Sequence, residues 1–172
     1  PLAPERAYTP DEATLVQHRA ATAPLGMTRG VLVGTSVYGL DNAVTLDALA
    51  RRAAPTRAVI NAGTDTRLGD PDALHAAGVR GVRVNALREK RIPWASLETL
   101  AGQIAPLGWH IEVLTDVAHD DGFLPVLRDL PVDVVFAHMG FIRHAGARQS
   151  PGFGALQKAL ADNRAWVKLS SM

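Results

Sequence analysis

An α/β fold built on a parallel sheet is what this sequence predicts, and three observations predict it. Six short runs rich in β-branched and aromatic residues recur along the chain. Helix-forming segments separate them at a repeat of roughly 25 to 30 residues, which implies successive right-handed βαβ units. Several of the runs also alternate in polarity. In the third, Gly81, Arg83 and Asn85 share one face and Val82 and Val84 the other; in the fourth, His110, Glu112 and Leu114 oppose Trp109, Ile111 and Val113; in the last, Lys168 and Ser170 oppose Val167 and Leu169. A doubly wound open sheet is apolar on both faces because helices cover both. Here one face goes under helices and the other carries charge into a shared interior, which is the pattern of a (β/α)8 barrel with its active site at the carboxyl ends of the strands. An open, flavodoxin-like sheet is the alternative, and the charged faces argue against it.

The elements follow in order. Thr9-Pro10-Asp11-Glu12 combines a cap, a proline at the first helical position and a glutamate three after the cap, so a helix is expected from about Pro10 to Ala23, stopped by Pro24 and Gly26. Gly30 to Ser36 is the first strand, Asp41 or Asn42 caps a helix to about Ala53, and Arg57 to Asn61 is the second strand. Asp70-Pro71-Asp72 opens a short helix ended by Gly78, and Val79 to Asn85 is the third strand. Past a basic loop, Pro93 begins a helix whose Leu97, Leu100, Ala101 and Ile104 share a face. Trp109 to Leu114 is the fourth strand, a helix spans about Asp121 to Leu130, and the fifth strand ends at His138. A helix from about Ser150 to Asp162 and a strand from Trp166 to Ser170 complete the series.

Composition narrows the function classes. With 47% hydrophobic residues in a chain of 172, one domain with a real core is expected. The 18 basic and 17 acidic residues nearly cancel, and Glu89 interrupts the one basic cluster, Arg88 to Arg91, so neither nucleic acid nor an anionic membrane is indicated as a partner. The absence of cysteine removes disulfides, thiolate nucleophiles and cysteine metal sites, and fits a cytoplasmic protein. No apolar stretch reaches the roughly 20 residues of a membrane-spanning helix. A (β/α)8 barrel typically takes about 250 residues. Six units beginning at Pro1 and stopping at Met172 are therefore expected to be a partial barrel, truncated at both ends and inactive alone, or else completed by another chain.

Two residues carry chemistry on position alone. His138 falls at the carboxyl end of a buried strand between Pro131 and Gly140, where it is either a catalytic group or a hydrogen-bonded cap. Arg83 lies on the polar face near the end of the third strand; a strand arginine snorkelling to solvent is the plain reading. Its planar fork equally suits a carboxylate clamp. His110, Glu112 and Lys168 face inward lower on the strands, where burial requires pairing, so Glu112 with Lys168 or His110 reads as a structural network. Ser36, which leads into the cap at Asp41 or Asn42, reads from position alone as an ordinary turn serine. His144, His119, Asp116 and the pair Thr64-Asp65 lie in loops after strands, whereas His18 and His75 fall in helices.

The stretches Tyr8-Thr9-Pro10, Arg29 to Val33, Ser36 to Asn42, Gly78 to Asn85, Gly108-Trp109-His110, His138-Met139-Gly140 and Trp166 to Ser170 resemble the amidohydrolase-related family (amidohydrolase 2) that contains the pyrone-dicarboxylate lactonases. The resemblance runs nearly the whole chain and implies a distorted (β/α)8 barrel, with the strands here as the second to seventh. It implies a His-x-His pair on a first strand and an aspartate base after an eighth, both outside this chain. By the same resemblance His138 polarises the scissile carbonyl, Arg83 holds a substrate carboxylate, and Ser36 and Tyr8 touch substrate. Arg88 or Arg91 supplies a second arginine, and Arg143 stands in for one that Phe141 replaces. Leu114 occupies a position that is tyrosine in the pyrone-dicarboxylate enzymes, which weakens the case for a dicarboxylate more than for a lactone. The implied activity is hydrolysis of a carboxylated lactone in aromatic degradation. Metal-dependent decarboxylation and a non-catalytic fragment are the alternatives. A divalent metal such as zinc enters only if the His-x-His pair and aspartate bind one.

Overall fold

The computed structural model describes residues 1–52, 54–87, 93–120, 122–142 and 145–170. Six strands, β1 (Gly30–Val33), β2 (Thr56–Asn61), β3 (Val79–Asn85), β4 (His110–Leu114), β5 (Val134–Phe136) and β6 (Ala165–Val167), form one sheet. Every neighbouring pair is parallel, and strand order follows chain order from β1 to β6. A doubly wound sheet must reverse its order at a switch point; this one does not, so the flavodoxin-like alternative falls and the sheet is a curved segment of barrel wall.

The helices α1 (Leu15–Thr22), α2 (Ala43–Ala50), α3 (Pro71–Ala77), α4 (Leu97–Ile104), α5 (Phe123–Asp129) and α6 (Pro151–Ala161) alternate with the strands. The core lies between one sheet face and these helices: Ala58, Ile60, Val82, Val84, Ile111, Val113, Val134 and Phe136 meet Leu49, Leu97, Leu100, Ile104, Leu127 and Leu156. Trp94, Phe123 and Phe136 tilt against one another with ring centroids 4.9 to 6.3 Å apart, a geometry worth about 0.5–1.5 kcal/mol per pair beyond burial. The opposite face carries Arg57, Gly81, Arg83, His110 and Glu112, and there Val31 and Trp166 stay 60% and 63% exposed, which marks it as the open barrel interior.

Several expected boundaries move, each for a local reason. α1 starts at Leu15, because Thr14 and Gln17 form the reciprocal capping box while the Thr9 hydroxyl accepts from Arg6 instead. Asp41 accepts from the Ala43 N–H at 2.9 Å, whereas Asn42 turns its side chain to the backbone of Asn61. β5 stops at Phe136, short of His138, and β6 stops at Val167, leaving Leu169 85% exposed and not beneath a helix.

Candidate active site

A cavity of about 740 Å³ opens at the carboxyl ends of β1, β2 and β3, lined by Glu5, Ser36, Asn61, Asp65, Arg83 and Asn85 among others. The loop that carries Ser36 is sewn to the end of β2. The Asn61 side chain donates to the carbonyls of Thr35 and Gly39, both at 2.9 Å, and Asn42 closes a reciprocal pair with the Asn61 backbone at 2.8 and 2.9 Å. A Cβ on Gly34 would lie 2.7 Å from the Asn61 amide oxygen, so only glycine lets this stitch form. The N-terminal segment crosses the same loop through Ala3 N–H to Val37 O at 2.8 Å. That crossing brings Glu5 to the cavity; Tyr8, three residues on, is 55% exposed and does not line it.

Arg83 enters the cavity from β3 with one guanidinium nitrogen donating to Gly34 O at 2.8 Å. Its Nε is buried without a hydrogen bond among the described residues, 3.5 Å from a Glu112 carboxylate oxygen. The second oxygen of Glu112 takes the Lys168 ammonium. The expected interior network therefore exists, with Lys168 as the partner rather than His110. One carboxylate serves two cations here, and the carboxylates of Glu5 and Asp65 line the cavity with Arg83. His110 lies flat over Gly81, where a Cβ would sit 2.8 Å from the ring. Its pKa is pushed below the ordinary value of 6.5, chiefly by burial, with Glu112 opposing and Lys168 adding to the shift.

His138 stands at the same carboxyl edge, two residues past β5, and its backbone explains why the strand ends early. His138, Met139, Gly140 and Phe141 have φ of 50, 55, 68 and 61°, one turn of left-handed helix. L-residues adopt this conformation singly, at roughly 1–2 kcal/mol each, and such strain persists where surrounding contacts over-determine it. Here Val117 N–H donates to Gly140 O at 3.0 Å, Met139 N–H to Lys168 O at 3.0 Å and Lys168 N–H to Phe136 O at 2.9 Å. The β4–α5 loop that supplies Val117 is held in turn by buried Asp120, which accepts from Trp94 at 2.8 Å and from Thr115 at 3.3 Å. The His138 ring pairs through Nδ1 with Ser170 Oγ at 2.8 Å.

The structure thus brings Ser36 and Arg83 into one cavity and puts His138 on the same edge of the sheet. Arg88, Arg91, Arg143 and His144 lie outside the described residues. Thr64 and Asp65 line the cavity; His119 pairs with Asp116 at 3.1 Å on the surface. His75 stacks on Trp109 and accepts its indole N–H at 2.9 Å, a packing role. Among the described residues no three His, Cys, Asp or Glu side chains gather as metal ligands, so the donor set here does not by itself fit a divalent ion. No helix among them is long and apolar enough to cross a membrane. Sequence reasoning missed Asn61, Asp120 and Glu5 as organisers; the one available signal was Asn61, a polar residue ending an otherwise apolar strand.

A family model described as Amidohydrolase matches residues 1–172. The chain is 35% identical to a 2-pyrone-4,6-dicarboxylate hydrolase of Comamonas testosteroni over 179 residues, covering 99% of this chain and 57% of that protein. It is 30% identical to a 4-sulfomuconolactone hydrolase of Rhizobium radiobacter over 178 residues, covering 99% and 58%. A crystal structure from Acinetobacter baumannii, described as a probable 2-pyrone-4,6-dicarboxylic acid hydrolase with citric acid bound, superposes with a TM-score of 0.82 at 24% identity, covering 98% of this chain and 64% of that one. The chain spans somewhat more than half the length of these curated relatives.

Proposed function

We propose, from the premise that this chain belongs to the amidohydrolase family, that it forms the β1–β6 part of a barrel hydrolase opening the lactone ring of a carboxylated small molecule. The observation that carries this reading is the cavity shared by Ser36 and Arg83 on the edge where His138 also stands. The names of both curated relatives describe lactone or pyrone hydrolysis of acidic compounds, which supports the same substrate class.

In this mechanism Arg83 anchors the substrate carboxylate. Its guanidinium has five N–H donors, of which one is spent on Gly34 O, so its fork keeps donors for a carboxylate. His138 donates from Nε2 to the lactone carbonyl as charge develops on its oxygen. Water gives a proton to the base as its oxygen adds to the carbonyl carbon, the ring C–O bond breaks, and that proton passes to the departing ring oxygen to give a hydroxy acid. The water-activating base is assigned to the aspartate that the resemblance puts after an eighth strand. A role in aromatic degradation in the cytoplasm belongs to the same proposal.

The test is an assay of the complete gene product against carboxylated pyrones and muconolactones, following loss of ring absorbance and release of acid, with and without a chelator. Ring opening of the carboxylated lactones, and not of their methyl esters, is expected. Metal-dependent release of carbon dioxide with every lactone left intact would replace this reading by the decarboxylase alternative.

A further inference from the structure

We propose that Ser170 is the positioning residue of His138: its hydroxyl donates to Nδ1 and leaves Nε2 to carry the proton that polarises the substrate carbonyl. The proposal rests on the lactonase reading for the role of His138, and on geometry for the rest. Oγ of Ser170 lies 2.8 Å from Nδ1. This hydrogen bond orients the ring, which also meets Phe141 in a T-shaped contact at a centroid distance of 6.0 Å.

The backbone makes the pairing rigid. Lys168 N–H donates to Phe136 O and Met139 N–H donates to Lys168 O, so the chain after β6 runs in hydrogen-bonded register beside the left-handed turn. Val117 closes that turn from the other side, occupying the space 2.9 Å from where a Gly140 Cβ would be. Lys168 and Ser170 both follow β6 and both reach inward partners: Lys168 goes to Glu112 and Ser170 to His138. The short segment following β6 therefore organises both sides of the site.

Chemistry sets the direction of the bond. In a neutral imidazole one nitrogen donates and the other accepts. A ring that donates from Nε2 to a carbonyl must accept at Nδ1, and Ser170 offers the hydroxyl that makes this tautomer the favoured one. Ser170 touches the histidine and not the substrate, so its loss should lower turnover and leave substrate binding alone.

The experiment compares wild type, Ser170→Ala and Ser170→Thr in the full-length protein, reading the His138 ring nitrogens by ¹⁵N NMR alongside steady-state kinetics. Wild type is expected to show an unprotonated Nδ1 and a protonated Nε2. In Ser170→Ala the two signals should move toward tautomer averaging, with kcat down about tenfold and KM within about twofold; Ser170→Thr should restore both. A protonated Nδ1 in wild type overturns the proposal, as does a Ser170→Ala protein with unchanged ring signals and unchanged kcat. If Ser170→Ala fails to fold, the wild-type and Ser170→Thr spectra still decide. A protein that opens no lactone but shows the Nε2–H tautomer, lost in Ser170→Ala, keeps the positioning role and removes the lactonase reading.

Discussion

Lys168, one residue past β6, sets its ammonium on the carboxylate of Glu112 in β4, so a single ion pair reaches across β5. The two ends differ in environment: the Glu112 side chain is 2% exposed and that of Lys168 39%. Arg83 approaches the same carboxylate from β3 at 3.5 Å. One buried anion thereby ties β3 and β4 to the segment that follows β6.

Glu112→Gln should be costly, because it leaves Arg83 nearly buried without its counter-charge. Removing one partner of a buried pair typically costs about 3–5 kcal/mol, and the hydration open to Lys168 puts the expected loss near the lower end. A urea titration measures it. Lys168→Met should lose less, since Arg83 still faces the carboxylate.

Arg83 and His138 should separate in kinetics. Arg83→Lys removes the planar fork while keeping the charge, so KM for a carboxylated lactone should rise about 10- to 100-fold with a small change in kcat. His138→Asn should lower kcat about 10²- to 10³-fold with KM nearly unchanged. Steady-state kinetics on one lactone checks both, and a His138→Asn enzyme at the wild-type rate would end the assignment of that residue.

Two glycines of α6 should respond oppositely to alanine. A Cβ at Gly152 would sit 1.7 Å from Val117 O, a backbone atom that cannot move without disturbing the turn at His138. Gly152→Ala should therefore cost at least about 3 kcal/mol and lower turnover. Gly154 has nothing within 4 Å, so Gly154→Ala should stabilise by roughly 0.5–1 kcal/mol through helix propensity. Thermal melts of the two variants give the comparison.

His110 should make stability depend on pH. Its folded pKa lies below the ordinary 6.5, so the unfolded chain binds the proton more readily. The stabilisation from this residue is complete above pH 6.5 and is lost as pH falls through 6.5 toward the lower folded value. Denaturant midpoints in steps from pH 7.5 downward should show this decline in wild type, and His110→Gln should flatten it.

The strand cores were legible because their signal is local. β3 runs from Val79 to Asn85 as its alternation indicates, and the four apolar residues of α4 are all fully buried as their spacing requires. Ends were less legible. Thr9 and Thr14 both begin cap-like sequences, and Arg6 decides between them by occupying the Thr9 hydroxyl. His138 reads as the end of a strand from its apolar neighbours, yet hydrogen bonds from Val117 and to Lys168, residues distant in sequence, hold its turn left-handed.

By itself the sequence determined the parallel βαβ order, the charged interior face and the candidate roles of Arg83 and His138, because periodicity and strand position depend on neighbours a few residues apart. Only the tertiary structure decided that Ser36 and Arg83 share a cavity. It alone decided that Glu112 pairs with Lys168 and Arg83, and that Ser170 meets His138. Those contacts, with the shared cavity of Ser36 and Arg83, join residues 29 to 56 positions apart, and sequence pattern carries no distance between strands; register in the parallel ladder supplies it.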